Sequence, residues 1–267
     1  MRWIWRMLGI LLVLLMLAWV GLHLFIVPRI DHLRPQLESW VSRSLGAELR
    51  IGQLQAESTG LVPTIEVRQL QIIDRDGQAG LQVPRALASF SVTSLLRGAL
   101  LQLVIDEPEL QVRRMAAGHW RVAGIDWQGE HQSDHRALRW VLRQPELLIR
   151  QGRMLWRDEG RGLQALELEQ IDAVLSNRLR HHRLRLDAKP PPEWGERFTV
   201  VTRLREHVLA PGLEAWDDWS GELYADFPRF DASRWRSALD LGNRWGIREH
   251  SGHGAVRVWL DLQRGHL

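Results

Sequence analysis

The segment Ser94–Arg114, SLLRGALLQLVIDEPELQVRR, places Leu101, Leu103 and Ile105 at every second position. Leu110 and Val112 resume the alternation after the Glu-Pro pair in the middle of the segment. Because successive side chains of a β-strand point to opposite faces, this pattern predicts two strands that share one apolar face. The segment therefore indicates a sheet with one apolar face, which another element or a ligand must cover.

The same period of two continues from Glu48 to the end of the chain, and helical patterns nearly vanish. The apolar positions shift by one residue between Ile65 and Val67 and the next pair, Leu70 and Ile72, which predicts a bulge or bend in that strand. The expected fold is mainly β, a long curled antiparallel sheet shaped like a groove. The predicted strands are Glu48–Ala56, Thr64–Asp74, Leu81–Val92, Ala99–Asp106, Glu109–Met115, Trp120–Ile125, Glu146–Gln151, Arg153–Arg157, Leu163–Ser176, His182–Ala188, Phe198–Arg205, Ser220–Phe227 and Gly254–Leu262.

An apolar stretch near the amino terminus, MLGILLVLLMLAWVGLHLFIV, is long enough to span a bilayer as a helix of about 31 Å. It lacks the small-residue cleavage site of a signal peptide, and two arginines precede it. We expect an uncleaved inner-membrane anchor, with the amino terminus in the cytoplasm and the bulk of the chain in the periplasm. Residues along this anchor are Met7, Leu12, Leu17, Leu22 and Val27.

A short amphipathic helix is predicted directly after the anchor, with Leu37, Trp40, Val41 and Leu45 at helical spacing. Two positions suit such a helix, either across the edge of the sheet or on the bilayer surface. The predicted organisation is an anchor at 1–28, the amphipathic helix at 29–46, a first β segment at 47–130, a connecting segment at 131–145 and a second β segment at 146–267.

Motifs for catalysis or metal binding are missing from the sequence. His131 and His135 have helical metal-ligand spacing but no third ligand in a motif, and His181 and His182 are interpreted as exposed residues. We expect no enzyme activity, no metal and no cofactor. The formal net charge of +3 argues against a nucleic-acid partner, which would need clustered basic residues.

The amino-terminal anchor and five blocks that follow it in a fixed order resemble the amino-terminal region of AsmA-like envelope proteins, and most closely the YhdP family. The blocks include LGAELRIGQLQAESTGLVPTIEVRQLQIID, the run from Ser94 to Val122 that contains the opening segment, and GRMLWRDEGRGLQALELEQIDAVLSNRLRHHRLRLDAKPPPEWG. WSGELYADFPRFDASRW and GAVRVWLDL complete the set. Members of this family are several times longer, so this chain corresponds to the beginning of a larger protein, a truncated reading frame or a unit that a partner extends.

The resemblance implies an apolar β-groove, anchored in the inner membrane, that takes part in phospholipid transport to the outer membrane. The implied partners are phospholipid, the inner membrane and an outer-membrane or other envelope protein. The alternative is a scaffold for outer-membrane protein assembly, as in the related TamB-like proteins. The candidate groove residues are Leu49, Ile51, Ile65, Val67, Leu101, Leu103, Ile105, Leu110 and Val112.

Periodicity alone does not separate such a groove from an ordinary sandwich core, because both need the same alternation.

Overall fold

The computed structural model describes residues 34–45, 47–59, 62–74, 76–91, 100–127, 140–161, 165–206, 219–239 and 252–263. The helices are α1 (Arg34–Leu45) and α2 (Ala232–Leu239). The strands are β1 (Glu48–Thr59), β2 (Val62–Ile73), β3 (Ala79–Ser89), β4 (Gln102–Asp106), β5 (Glu109–Arg114), β6 (Trp120–Val122), β7 (Ile125–Trp127), β8 (Glu146–Asp158), β9 (Leu166–Arg178), β10 (His181–Lys189), β11 (Phe198–Arg205), β12 (Ser220–Asp231) and β13 (His253–Leu262).

These strands form one sheet, as the alternation predicts, with the main order β13-β12-β11-β10-β9-β8-β4-β3-β2-β1. The sheet is predominantly antiparallel, as expected, except at one place, where β4 and β5 both pair with β8 in parallel. The chain between β5 and β8 is long enough for the crossover that a parallel pair needs. Two strands predicted on either side of Gly152 are one strand, β8, and β7 is a strand that the sequence pattern did not indicate.

Four residues in the left-handed backbone conformation lie in a line across the middle of the sheet. Gln69, Glu107, Gln151 and Gln170 have φ angles of 54°, 52°, 52° and 48°. The predicted slip between Val67 and Leu70 is confirmed, since Gln69 lies between them. We call this line the seam.

Helix α1 covers the outer edge of β1. The β1 backbone N–H of Ile51 donates to Glu38 Oε1 at 2.7 Å, and that of Leu49 donates to Ser42 Oγ at 2.9 Å. Arg34 Nη1 donates to the carbonyl oxygen of Gly52 at 2.6 Å. Of the two positions expected for this helix, the structure therefore shows the sheet edge, where α1 satisfies backbone groups that an edge strand leaves open.

An aromatic core lies on one face of β8–β12 beneath α2. Its buried members are Trp156, Leu166, Leu168, Ala188, Trp194, Phe198 and Trp235. Helix α2 begins directly after Asp231, whose Oδ1 accepts the backbone N–H groups of Ser233 and Arg234 at 3.0 and 3.1 Å. This N-cap fixes the helix start, so that Trp235 packs edge-on against Phe198 at 5.9 Å.

Within the described ranges, no helix is long and apolar enough to cross a membrane. The predicted anchor, with Met7, Leu12, Leu17, Leu22 and Val27, lies outside those ranges, as do residues 29–33 of the predicted amphipathic helix.

Candidate functional site

Ten strands align one side chain each into a continuous row that contains Leu103. Paired residues of neighbouring strands project from the same face, so the strand register defines the row. Its members, which we call the Leu103 row, are Ala56, Ile65, Ala88, Leu103, Leu147, Leu175, Leu184, Thr202, Leu223 and Leu260. Nine of the ten are apolar, and at about 4.8 Å between strands the row is about 43 Å long.

A second row runs beside the first, two residues further along each strand. This Ile105 row consists of Leu54, Val67, Ala86, Ile105, Ile149, Ala173, Leu186, Val200, Ala225 and Val258, all apolar. The two rows together make an apolar band that crosses the strands at right angles and extends from β1 to β13.

The seam keeps the apolar side chains on one face. Leu168 and Ile171 stand on either side of left-handed Gln170, yet both pack in the aromatic core. Val67 likewise packs against the buried cluster to which Ile72 belongs, although Gln69 lies between Val67 and Ile72. The band and the aromatic core therefore belong to the same face of the sheet.

Exposure separates the Leu103 row from the aromatic core. Every member of the Leu103 row is half-buried. In the aromatic core, by contrast, Leu166 is 2% exposed, and Phe198 is 5% exposed. A row of largely apolar side chains that stay partly open to solvent forms a surface on which an acyl chain could lie.

The opposite face carries charges in ladders. Glu66 is 1% exposed and accepts hydrogen bonds from Arg85 Nε at 2.7 Å and Arg68 Nε at 2.9 Å. The hydrogen bond from Arg68, followed by that from Arg85, lowers the pKa of Glu66 below its ordinary value. Asp187 is held in the same way by Arg185 Nε at 2.8 Å, which lowers its pKa. The opposite face thus carries rows of charged side chains on either side of a short apolar run, Leu87, Val104, Leu148 and Val174.

A cleft of about 320 Å³ lies along the seam. Its walls are polar, so it does not suit an acyl chain. The lining residues are Pro84, Glu107, Glu109, Gln151, Arg153, Glu169 and Gln170.

The structure brings four of the predicted groove residues into the band. Ile65 and Leu103 lie in the Leu103 row, and Val67 and Ile105 lie in the Ile105 row.

The other five candidates lie elsewhere. Leu49 and Ile51 are buried in a cluster against Val41 of α1, and Leu101 precedes β4 and is 41% exposed. Leu110 pairs with Leu81 and Met154, and Val112 packs against the aromatic core.

Sequence reasoning missed the part of the band on β8–β13. The signal was available in the alternation of Leu147 and Ile149 and of Leu184 and Leu186. The alternation does not give the register between strands, and the register is what turns separate strands into rows.

The interpretation of His182 as exposed is wrong. His182 is 4% exposed, stacks on Trp219 at 4.9 Å between ring centroids, and faces Asn177 Oδ1 at 2.7 Å. Its Nε2 lies 3.1 Å from Glu206 Oε1. His181 is exposed, as expected, and His131 and His135 lie outside the described residues.

No three His, Cys, Asp or Glu side chains are grouped so as to hold a metal ion within the part of the chain that the structure describes.

Comparison with known proteins gives one match. A family model described as YhdP protein matches residues 1–267. No curated protein and no solved structure was found to match the chain.

Proposed function

The chain belongs to the YhdP family, and on that premise we propose that it is an envelope protein that takes part in phospholipid transport between the inner and outer membranes. In this proposal the sequence Met7–Val27 anchors the chain in the inner membrane, and the sheet lies in the periplasm. No catalytic step, metal or cofactor is involved.

The observation that carries the proposal is the apolar band, whose Leu103 row is half-buried. An acyl chain gains about 0.8 kcal/mol for each CH₂ that leaves water, so a continuous apolar surface binds it without specific polar contacts. The band runs across ten strands, and an acyl chain lying along it would meet apolar side chains from β1 to β13, with Thr202 as the one polar side chain in the two rows. A tail could therefore move from strand to strand without leaving an apolar surface.

In-cell photo-crosslinking tests this proposal. A photoreactive amino acid at Leu103 or Leu184, both in the Leu103 row, should capture phospholipid. The matched control is Arg185, which neighbours Leu184 on β10 and projects from the charged face with a 64% exposed side chain. Equal capture at Leu184 and Arg185, or capture of protein alone at Leu103, would contradict lipid transport along the band.

A second function is favoured by the edge strand β13. Among the described residues β13 pairs only with β12, so its other edge could receive a strand from an outer-membrane protein during assembly. A photoreactive residue on β13, at Ala255, would then capture barrel precursors instead of lipid.

A further inference from the structure

The two outer edges of the sheet differ in how they are covered. At β1, Glu38 and Ser42 of α1 accept backbone N–H groups of the strand. At the other end of the strand order, β13 pairs with β12, and no other described strand pairs with it. A long edge strand left open in this way is a template for pairing with another strand.

An exposed tryptophan lies on this edge strand. Trp259 is 67% exposed, and its ring contacts that of Tyr224 on β12 with 5.4 Å between the centroids. Tryptophan is enriched in protein interfaces, because its large surface gains most from burial there. The side chain at the middle of the open edge is therefore of the type that a partner strand would cover.

The charges of β13 are incompletely paired. Arg257 Nε lies 3.2 Å from Asp226 Oδ1, but the arginine side chain is 63% exposed and has further N–H donors. Asp261 lies opposite Glu222 of β12, which is another carboxylate, and has no ion pair within the described part of the chain. Like charges directly opposite each other destabilise a sheet, so Asp261 lacks a cation on its other side.

Strand β13 is complementary to itself. When two copies pair antiparallel with Trp259 opposite Trp259, Arg257 of each copy comes opposite Asp261 of the other. On the apolar face, Val258 of each copy comes opposite Leu260 of the other. One register thus matches opposite charges, aromatic rings and aliphatic side chains, and it does so around a two-fold axis.

Other registers that keep the two faces of the strand lose this match. A pair centred on Arg257 or on Asp261 would place like charges opposite each other. A pair centred on Val258 or on Leu260 would leave Asp261 opposite an apolar side chain. The charges of β13 therefore select the register centred on Trp259.

We propose that the chain pairs with a second copy of itself through β13, antiparallel and with Trp259 at the centre. The pair covers both Trp259 side chains, gives each Asp261 a guanidinium partner and joins the open backbone groups of the two edges. The apolar band continues across the boundary, because Leu260 of the Leu103 row meets Val258 of the Ile105 row of the second copy. The proposal depends on the edge strand alone and not on the proposed function.

The pair is a closed form with respect to the transport proposed above. Helix α1, which follows the anchor sequence, lies at the edge of the sheet farthest from β13, so the two anchors lie at the two far ends of the pair. With both anchors in one membrane, the pair does not lead to a second membrane. Transport therefore requires the two copies to separate, and pairing keeps the edge of β13 covered until they do.

Single cysteines test the register. The chain has no cysteine, so Trp259→Cys in the full-length chain introduces one thiol. In the proposed register the two Cα atoms of position 259 lie about 4.5–5.5 Å apart, which a disulfide can span. Arg257→Cys and Asp261→Cys are matched variants on the same face, where the two equivalent positions would be about 13 Å apart along the strands. Leu179→Cys, in a fully exposed turn, reports random collision.

With a mild oxidant, the disulfide-linked dimer should form at least several-fold faster at position 259 than at position 257, 261 or 179. A mixture of Arg257→Cys and Asp261→Cys chains should also form a disulfide, because these positions are opposite each other in the register. Equal rates at positions 257, 259 and 261, or at positions 259 and 179, would overturn the proposal.

A charge reversal tests the pair without a cysteine. Asp261→Arg should raise the dissociation constant of the dimer at least several-fold, because two arginines would then face each other on both sides of Trp259. Light scattering of the full-length chain in detergent measures the dimer. Glu222→Arg makes the same change of charge one strand further from the edge and should leave the dimer intact. A chain that is monomeric at every concentration, or a dimer that Asp261→Arg does not weaken, would contradict the pairing.

Crosslinking in cells separates this proposal from the functions proposed above. A photoreactive residue at Ala255 should capture a second copy of the chain, and capture of other proteins alone would overturn the self-pairing. Lipid capture at Leu103 and Leu184 tests transport independently, so a monomeric chain that captures lipid there would reject only the pairing.

Discussion

The aromatic core and the Leu103 row lie on one face of one sheet and arise from the same alternation, but only the aromatic core is closed. Over the core, α2 and the turn at Pro190–Gly195 bring Trp235 and Trp194 down onto the strands. The Leu103 row stays half-buried. Alternation of apolar and polar residues along the strands therefore makes an apolar face, and the elements packed over that face decide whether it becomes a core or a binding surface.

The largest expected effect comes from a cavity in the closed region. Phe198→Ala should lower the free energy of unfolding by about 3–5 kcal/mol, because Phe198 is buried in the aromatic core, where it stacks on Phe227 and packs edge-on against Trp235. Denaturant unfolding of the full-length chain measures this loss. Leu184→Ala in the Leu103 row is the matched control and should cost less than about 2 kcal/mol, since part of that side chain already meets solvent. Similar losses for both variants would remove the distinction between the two regions.

Introducing a charge into each region should distinguish the open row from the closed core. Leu103→Arg should leave a folded protein, because the guanidinium can reach water along the half-buried row, whereas lipid capture at Leu184 should disappear. Phe198→Arg should deplete the protein, because it would bury an unpaired charge. Protein abundance and lipid crosslinks in the same cells provide the two measurements. Depletion of the Leu103 variant to the level of the Phe198 variant would indicate that the row is also a closed core.

A smaller effect is expected from the N-cap that holds α2 over the aromatic core. Asp231→Ala should reduce stability by about 1 kcal/mol. The hydrogen bond from Ser233 lowers the pKa of Asp231 in the folded protein. Its contribution is therefore present above the ordinary carboxyl pKa and is lost as the pH falls through the lowered folded value.

The pH dependence supplies the check on this cap. The stability difference between the wild type and Asp231→Ala should shrink as the pH falls below about 4. Arg183→Ala on the opposite face of β10, whose exposed side chain has no ion pair among the described residues, serves as a comparison for general effects of surface charge. A difference that grows on acidification would contradict the role of the cap.

The smallest effect concerns the edge of β1. Ser42→Ala should cost about 0.5 kcal/mol, because the Leu49 N–H loses its side-chain acceptor near solvent. Amide hydrogen exchange should speed up at Leu49, while Ser39→Ala, whose hydroxyl bonds to Gln36 within α1, should leave Leu49 unchanged. Unchanged exchange at Leu49 in both variants would show that α1 does not protect this edge.

The sequence was informative where structure depends on local pattern. The strands around Leu103 and Ile105, the slip at Gln69 and the helix before β1 could all be predicted because alternation, its interruption and helical spacing are local properties. The parallel pairing of β4 with β8 could not be predicted, since it joins residues 44 positions apart, as in Leu103 and Leu147.

The site itself was only partly predictable for the same reason. Leu103 and Val112 look equivalent in the sequence, but Val112 pairs with Trp156 and packs under the aromatic core. Helix α2 was not indicated because a helix of eight residues gives little periodic signal, and its stability comes from packing of Trp235 and from the Asp231 cap. Whether a strand residue is exposed to solvent or covered depends on elements such as α2, which are distant from it in the sequence.

Thiol reactivity is the most direct test of whether the Leu103 row is open to solvent and accepts acyl chains. In the cysteine-free chain, single variants Leu184→Cys and Phe198→Cys are exposed to a maleimide reagent, with and without a short-chain phospholipid. We expect rapid reaction at position 184, much slower reaction at position 198, and protection of position 184 alone when lipid is added. Equally slow reaction at both positions, or reaction at position 184 that lipid does not change, would contradict it.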